Sequence, residues 1–179
     1  MSATTLQRSR RIIFTEEEAA ARERAKKLAA RDAIRQDLAR KRLINFTTWT
    51  MPDYRVNWHH DLVARELDAF IDGDTTRLML FMPPRMGKTE LSSRRLPALA
   101  FGKNPDLNII ACSYSADLAE RVSRDVQRIM DTEKYRELFP ETQLGEYGGR
   151  TIRRNDIFEI AGKRGVYRAA GVRGGIGGM

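Results

Sequence analysis

The sequence predicts an α/β fold in which parallel strands are joined by crossover helices. Two short apolar runs, Leu78 to Met82 and Leu107 to Ser113, are bounded by chain breakers, and a stretch of helical spacing follows each. Strand, helix, strand, helix in that order builds a parallel sheet. A third observation agrees. Gly87-Lys88-Thr89 lies between the first run and its helix, where such folds place a phosphate-binding loop.

Composition bounds the rest. The chain has 179 residues, enough for one domain with an appendage, and 41% of them are hydrophobic, enough for a core. Lys+Arg number 32 against 24 Asp+Glu, a net charge of +8, with a pI near 10.0 and mean hydropathy of −0.52. No apolar stretch reaches the ~18 residues of a membrane span, and no apolar leader opens the chain. The single cysteine, Cys112, excludes an internal disulfide framework and a Cys-rich metal site. These features predict a cytosolic, basic, globular protein.

The positive charge sits at the two ends. Residues 1–44 carry 12 basic against 6 acidic residues, and residues 148–179 carry 7 against 2. Such ends can track a phosphate backbone, or form a solvated mixed-charge surface.

Residues 1–14 read as a basic tail. Thr15 then offers an N-cap with Glu18 at the capping-box spacing. From there to about Arg42 the chain is Ala-rich and charged, with Glu18–Arg22, Glu23–Lys27 and Asp37–Lys41 at i,i+4, which predicts an exposed helix. Leu28, Ile34, Leu38 and Leu43 hold no heptad, which argues against a long coiled coil. Residues 45–57 read as irregular. Trp58 to Ile71 regains helical spacing and ends at Asp72-Gly73-Asp74. Leu78–Met82 reads as a buried strand stopped by Pro83-Pro84, and a helix runs from after Gly87 to about Phe101. Leu107 to Ser113 predicts a second strand, and Ala116 to Met130 a helix. Ile157–Ile160 and Val166–Ala170, separated by Gly162-Lys163-Arg164-Gly165, predict a hairpin. Five glycines crowd the last nine residues. Two domains follow: 1–44, basic tail and charged Ala-rich helix, and 45–179, the α/β part that contains the Gly87-Lys88-Thr89 loop.

Gly87-Lys88-Thr89 matches the end of the pattern G-x-x-x-x-G-K-[ST]. A loop that wraps a phosphate needs a glycine where a Cβ would intrude, and the helix N-terminus then points free N–H groups at the anion. Lys88 is suited to the β and γ phosphates, and the Thr89 hydroxyl to Mg²⁺. Met82 stands where the first glycine belongs, and Pro83 and Pro84 donate no N–H. The prolines stiffen the turn and leave the amides of Arg85 to Thr89 to cradle phosphate.

Phe81-Met82-Pro83-Pro84-Arg85-Met86-Gly87-Lys88-Thr89-Glu90 resembles the variant Walker A motif of the large terminase subunits of tailed phages, where the first glycine is commonly missing. Tyr54-Arg55 and Trp58-His59-His60-Asp61-Leu62 upstream, and Ile110 to Ala119 downstream, resemble the segments that flank the loop there. The resemblance implies a P-loop NTPase with an additional-strand, RecA-like parallel sheet and flanking helices, acting as an ATP-driven motor that packages viral DNA. It implies ATP and Mg²⁺ as ligands, held by Pro84, Arg85, Met86, Gly87, Lys88, Thr89 and Glu90, with Lys88 and Arg85 catalytic and Thr89 on the metal. It further implies double-stranded DNA bound without sequence preference, a portal protein, a small terminase subunit and a homo-oligomeric ring as partners, in a bacterial host's cytoplasm. The family's Walker B strand and nuclease domain find no counterpart, because no apolar strand in residues 1–179 ends in paired acids. The chain is therefore expected to be an N-terminal fragment that binds ATP and hydrolyses it poorly. The other readings are a non-enzymatic basic DNA-binding or adaptor protein, or a fragment of another P-loop ATPase such as a helicase.

Further candidates carry alternatives. Tyr54, Trp58 and His60 lie either near the adenine or in a packed aromatic patch. His59 and His60 diverge on a helix, which argues against a shared metal. Cys112 reads as a buried core residue. Arg150, Arg153, Arg154, Lys163, Arg164, Arg168 and Arg173 contact DNA, a neighbouring subunit or solvent.

Overall fold

Helices carry most of the chain in the computed structural model, which describes residues 16–145 and 150–172. The basic tail, the Thr15 cap, Arg173 and the glycines beyond it lie outside the described residues. Two units are distinguished, one ending at Ile34 and the other beginning at Arg35. The first is the leading part of helix α1 (Glu16–Lys41), exposed throughout residues 17–34, with Glu23 and Lys27 paired at 3.7 Å.

In the second unit Ala39, at the end of α1, enters the core, and α2 (Leu43–Thr50) follows at once. The Leu43 amide donates to the buried Asp68 Oδ1 at 2.8 Å, giving the first turn of α2 an acceptor outside the helix. This corrects the expectation of an irregular stretch from residue 45. The local residues are poor helix formers, but Leu43, Phe46 and Thr47 are buried, and tertiary packing overrides propensity.

α3 (Trp58–Asp72) is capped at both ends, the C-terminal one as the sequence predicted. Asn57 caps it, His60 accepts the Asn57 amide in return, and Gly73 ends it in the left-handed region at φ 87°. After the loop the helix opens as a π-helical turn (Glu90–Arg95) and continues as α4 (Leu96–Lys103). Pro97 explains the change, because its ring lacks an N–H and clashes with the carbonyl four residues back.

Strand β1 (Asn108–Ser113) leads to α5 (Ala116–Asp131), capped by Ser115, and α6 (Glu133–Leu138), capped by Thr132. β2 (Ile157–Glu159) and β3 (Val166–Gly171) form the expected hairpin. The sheet order is β1-β3-β2, with β1 parallel to β3 from Asn108↔Val166 to Ser113↔Gly171, and β2 antiparallel. Two aromatic groups fill the core: Phe46, Tyr135 and Phe139 among the helices, and Phe101, Phe158 and Tyr167 between α4 and the sheet.

The expected parallel sheet is thus corrected to a mixed, three-stranded one. Leu78–Met82 is extended but belongs to no ladder, and no backbone hydrogen bond reaches it from another described residue. Leu78, Leu80 and Met82 pack on the core, while Met79 and Phe81 stand 77% and 85% exposed. One face is therefore buried as a strand's would be, and the edges lack a partner among the described residues. The RecA-like arrangement built on that strand is not formed by the described residues. Cys112 is likewise exposed, since Asn108, Ile110 and Cys112 alternate onto the exposed face of β1. Among the described residues no helix is long and apolar enough to cross a membrane.

Candidate functional site

The loop from Pro83 to Thr89 runs between the extended segment and the helix that starts beyond it. Two residues turn it: Arg85 at φ 62° and Gly87 at φ 77°. Arg85 is the one non-glycine among the described residues in the left-handed region, a conformation costly for a side chain with a Cβ. Successive turns of this kind gather backbone N–H groups into an anion-binding concavity. The amides of Arg85 to Thr89 take no backbone acceptor among the described residues, and regular bonding resumes where Leu91 donates to the Gly87 carbonyl at 3.0 Å. Pro84, Arg85, Lys88 and Thr89 are exposed, Met86 is 38% exposed and Gly87 half-buried.

Gly87 is fixed from below. A Cβ there would lie 2.7 Å from His60 Nε2 and 2.9 Å from Tyr54 Oη. His60 cannot swing away freely, because its Nδ1 accepts the Asn57 amide at 3.1 Å and its ring packs 5.2 Å from Tyr54 and 4.0 Å from His59. Burial, then the neighbouring His59, lowers the His60 pKa, while hydrogen bonding to the Met86 and Arg55 backbone opposes them. Burial, then the Glu90 carboxylate, raises the Tyr54 phenol. Tyr54 Oη is shielded from solvent with no hydrogen-bond partner among the described residues.

The structure thus brings Tyr54, His60 and Gly87 together. Trp58 stands apart, 75% exposed at the start of α3, where it lines a groove of about 500 Å³ with His59, Leu62, Met79, Phe81 and Met86. Glu90 turns inward. Its carboxylate accepts from Arg94 at 2.9 Å and Arg95 at 2.7 Å. Burial pushes its pKa up, but the two arginines outweigh burial and hold it below the usual carboxylate range. Arg94 reaches on to Asp125 of α5 at 2.9 Å, and Arg95 donates to Thr50 Oγ1 at 2.7 Å.

Sequence reasoning missed this lock. Glu90 and Arg94 at i,i+4 were its one readable part, because Thr50 and Asp125 lie 45 and 31 residues from the arginines they meet.

The hairpin arginines divide. Arg153 is structural, paired with Asp131 and donating to Gln127 and the Gly145 carbonyl. Arg154 pairs with Asp156 and Arg164 with Asp106, both with outward-facing guanidinium groups. Among the described residues no cluster of three His, Cys, Asp or Glu side chains is placed to hold a metal.

Residues 79–174, more than half of the chain, match the family model described as terminase large subunit, T4likevirus-type, N-terminal. The match takes in the loop, β1 and the hairpin, and begins downstream of Tyr54, Trp58 and His60. Neither curated proteins nor solved structures provide a match.

Proposed function

Because the chain belongs to the T4likevirus-type terminase large subunit family, matched over the N-terminal part of that subunit, we propose that it binds ATP at the Arg85–Thr89 loop as part of a motor that packages viral DNA. One observation carries the reading: the left-handed turns at Arg85 and Gly87 leave a row of unpaired amides directly before a helix.

The fit to a nucleotide triphosphate follows from the chain's own groups. The amides of Arg85 to Thr89 meet phosphate oxygens, and the helix N-terminus adds its partial positive charge. Lys88, exposed and one residue beyond Gly87, neutralises β and γ oxygens. Arg85 bears on the γ-phosphate, where a guanidinium stabilises charge that develops on transfer. The Thr89 hydroxyl is free for a metal, and Glu90 stands next to it. A magnesium ion held there supplies charge neutralisation to the phosphates. Tyr54 and His60 act from beneath by keeping Gly87 in place, and Trp58 offers a ring face to the base.

The family is an ATPase in general. For residues 45–179 of this chain we propose binding with slow turnover, since the sequence presents no paired acids to orient an attacking water. DNA contact falls to phosphates met by exposed arginines such as Arg154 and Arg164, without base reading. A portal protein, a small subunit and further copies in a ring are the partners this reading carries with it, in a host cytoplasm.

Titrating a fluorescent ATP analogue with magnesium into the wild-type chain and Lys88→Ala tests the reading. The variant is expected to bind at least tenfold more weakly. Equal affinities overturn the assignment.

A further inference from the structure

The helix that follows the loop widens just past its first residues, Lys88 and Thr89. The Leu96 amide donates to the Leu91 carbonyl, five residues back, instead of the four of an α-helix. An extra residue in one turn rotates everything before it by about 100° relative to the helix beyond, since an α-helix advances 3.6 residues per turn. The residues before it are Lys88 and Thr89.

Two features hold the turn open. Pro97 forbids the ordinary bond to the Ser93 carbonyl. Glu90 takes Arg94 and Arg95 together, at i+4 and i+5. The Arg94 contact suits an α-helix. The Arg95 contact does not, because five residues along an α-helix lie about 140° round its axis from Glu90. A turn closed by i→i+5 bonds brings that residue back to Glu90's side. Arg95 is itself buried, 8% exposed, and anchored outside the helix by Thr50 Oγ1 at 2.7 Å and Met51 Sδ at 3.4 Å. The wide turn is therefore fastened to α2, and Arg94 fastens the same carboxylate to α5 through Asp125.

We infer that Glu90 is a positioning residue: by clasping Arg95 it keeps the turn wide and so sets the rotation at which Lys88 and Thr89 present their side chains. The inference rests on the reading of Lys88 as the phosphate group's partner and Thr89 as magnesium's. It assigns the Glu90 carboxylate to the helix register and gives Arg94 and Arg95 unequal roles. Loss of the i+5 contact releases the register, whereas loss of the i+4 fork leaves it.

The experiment compares ATP affinity with and without magnesium in the full 179-residue chain and in Glu90→Gln, Arg95→Lys and Arg94→Lys. The ratio of the two affinities is the readout. Partial unfolding lowers both equally and leaves the ratio unchanged, while a misrotated Thr89 lowers the magnesium-dependent one selectively. Glu90→Gln and Arg95→Lys are expected to lose the magnesium advantage by fivefold or more, and Arg94→Lys to keep it within twofold. A wild-type ratio in Arg95→Lys, or an equal loss in Arg94→Lys, overturns the inference. Should Glu90→Gln fail to fold, the two arginine variants decide alone. Lys88→Ala run alongside separates the two readings. Unchanged binding there overturns the phosphate site itself, while weakened binding there with an intact ratio in Arg95→Lys overturns only the role of Glu90.

Discussion

Replacing Gly87 and Gly73 by alanine separates the two reasons a glycine stands in this loop. Both have positive φ, 77° and 87°, so alanine at either incurs the left-handed penalty of about 1–2 kcal/mol. They differ in what a Cβ meets. At Gly73 no side chain or backbone atom of the other described residues lies within 4 Å, and at Gly87 the new carbon falls 2.7 Å from His60 Nε2 and 2.9 Å from Tyr54 Oη. Ordinary carbon contacts begin near 3.5 Å, so His60 must move, and its bond to the Asn57 amide resists. Overpacking of this kind costs about 1–3 kcal/mol. The φ penalty is common to both variants, so the difference between them isolates the contact. At 2–4 °C per kcal/mol for a chain of this size, Gly87→Ala should melt about 2–12 °C below Gly73→Ala. Thermal unfolding of both proteins, with nucleotide binding measured beside it, is the assay. Gly87→Ala is also expected to lose binding, and Gly73→Ala to keep it. A cycle with His60→Ala completes the argument: without the imidazole, Gly87→Ala should cost less than it does in the wild type, with the Tyr54 Oη contact keeping it above Gly73→Ala. Equal melting of the two alanine variants, or no relief from His60→Ala, would refute the wedge beneath the loop.

Three further outcomes are expected. His60 is held neutral in the fold below its ordinary 6.5, so the unfolded chain takes up a proton that the folded one refuses; stability should fall as pH drops through 6.5 and level off below the folded value, and His60→Gln should flatten that slope in melts from pH 8 to 5. DNA binding should be indifferent to sequence and weaken steeply between about 50 and 200 mM salt, because phosphate contacts release counterions; a flat response measured by filter binding, or preference for one duplex, counts against it. Magnesium-dependent phosphate release by the 179-residue chain should be slow, and rapid turnover abolished by Lys88→Ala would reveal an acid already present that positions the water.

What the sequence disclosed was whatever depends on neighbours along the chain. The starts of α3 at Trp58 and α5 at Ala116, the end of α3 at Gly73 and the turn Gly162-Lys163-Arg164-Gly165 in the hairpin each rest on residues close along the chain. The turn at Gly87 was legible for the same reason, since the need for a glycine there is local. Leu78–Met82 was misread because strand identity is a property of pairs. An apolar run can bury Leu78, Leu80 and Met82 against helices and still lack a ladder, for nothing in its own composition supplies the strand beside it. The helix at Leu43–Thr50 was missed for the complementary reason: its first amide is satisfied by Asp68, 25 residues away, and its stability by aromatic rings from α6 and beyond. The clasp on Glu90 belongs to the same class. A carboxylate after Gly-Lys-Thr reads as part of the loop, and only the fold reveals two buried-side arginines from the same helix and their anchors on α2 and α5. Local sequence therefore locates the turn from Pro83 to Thr89, while the clasp on Glu90 just beyond it is made of contacts remote in sequence.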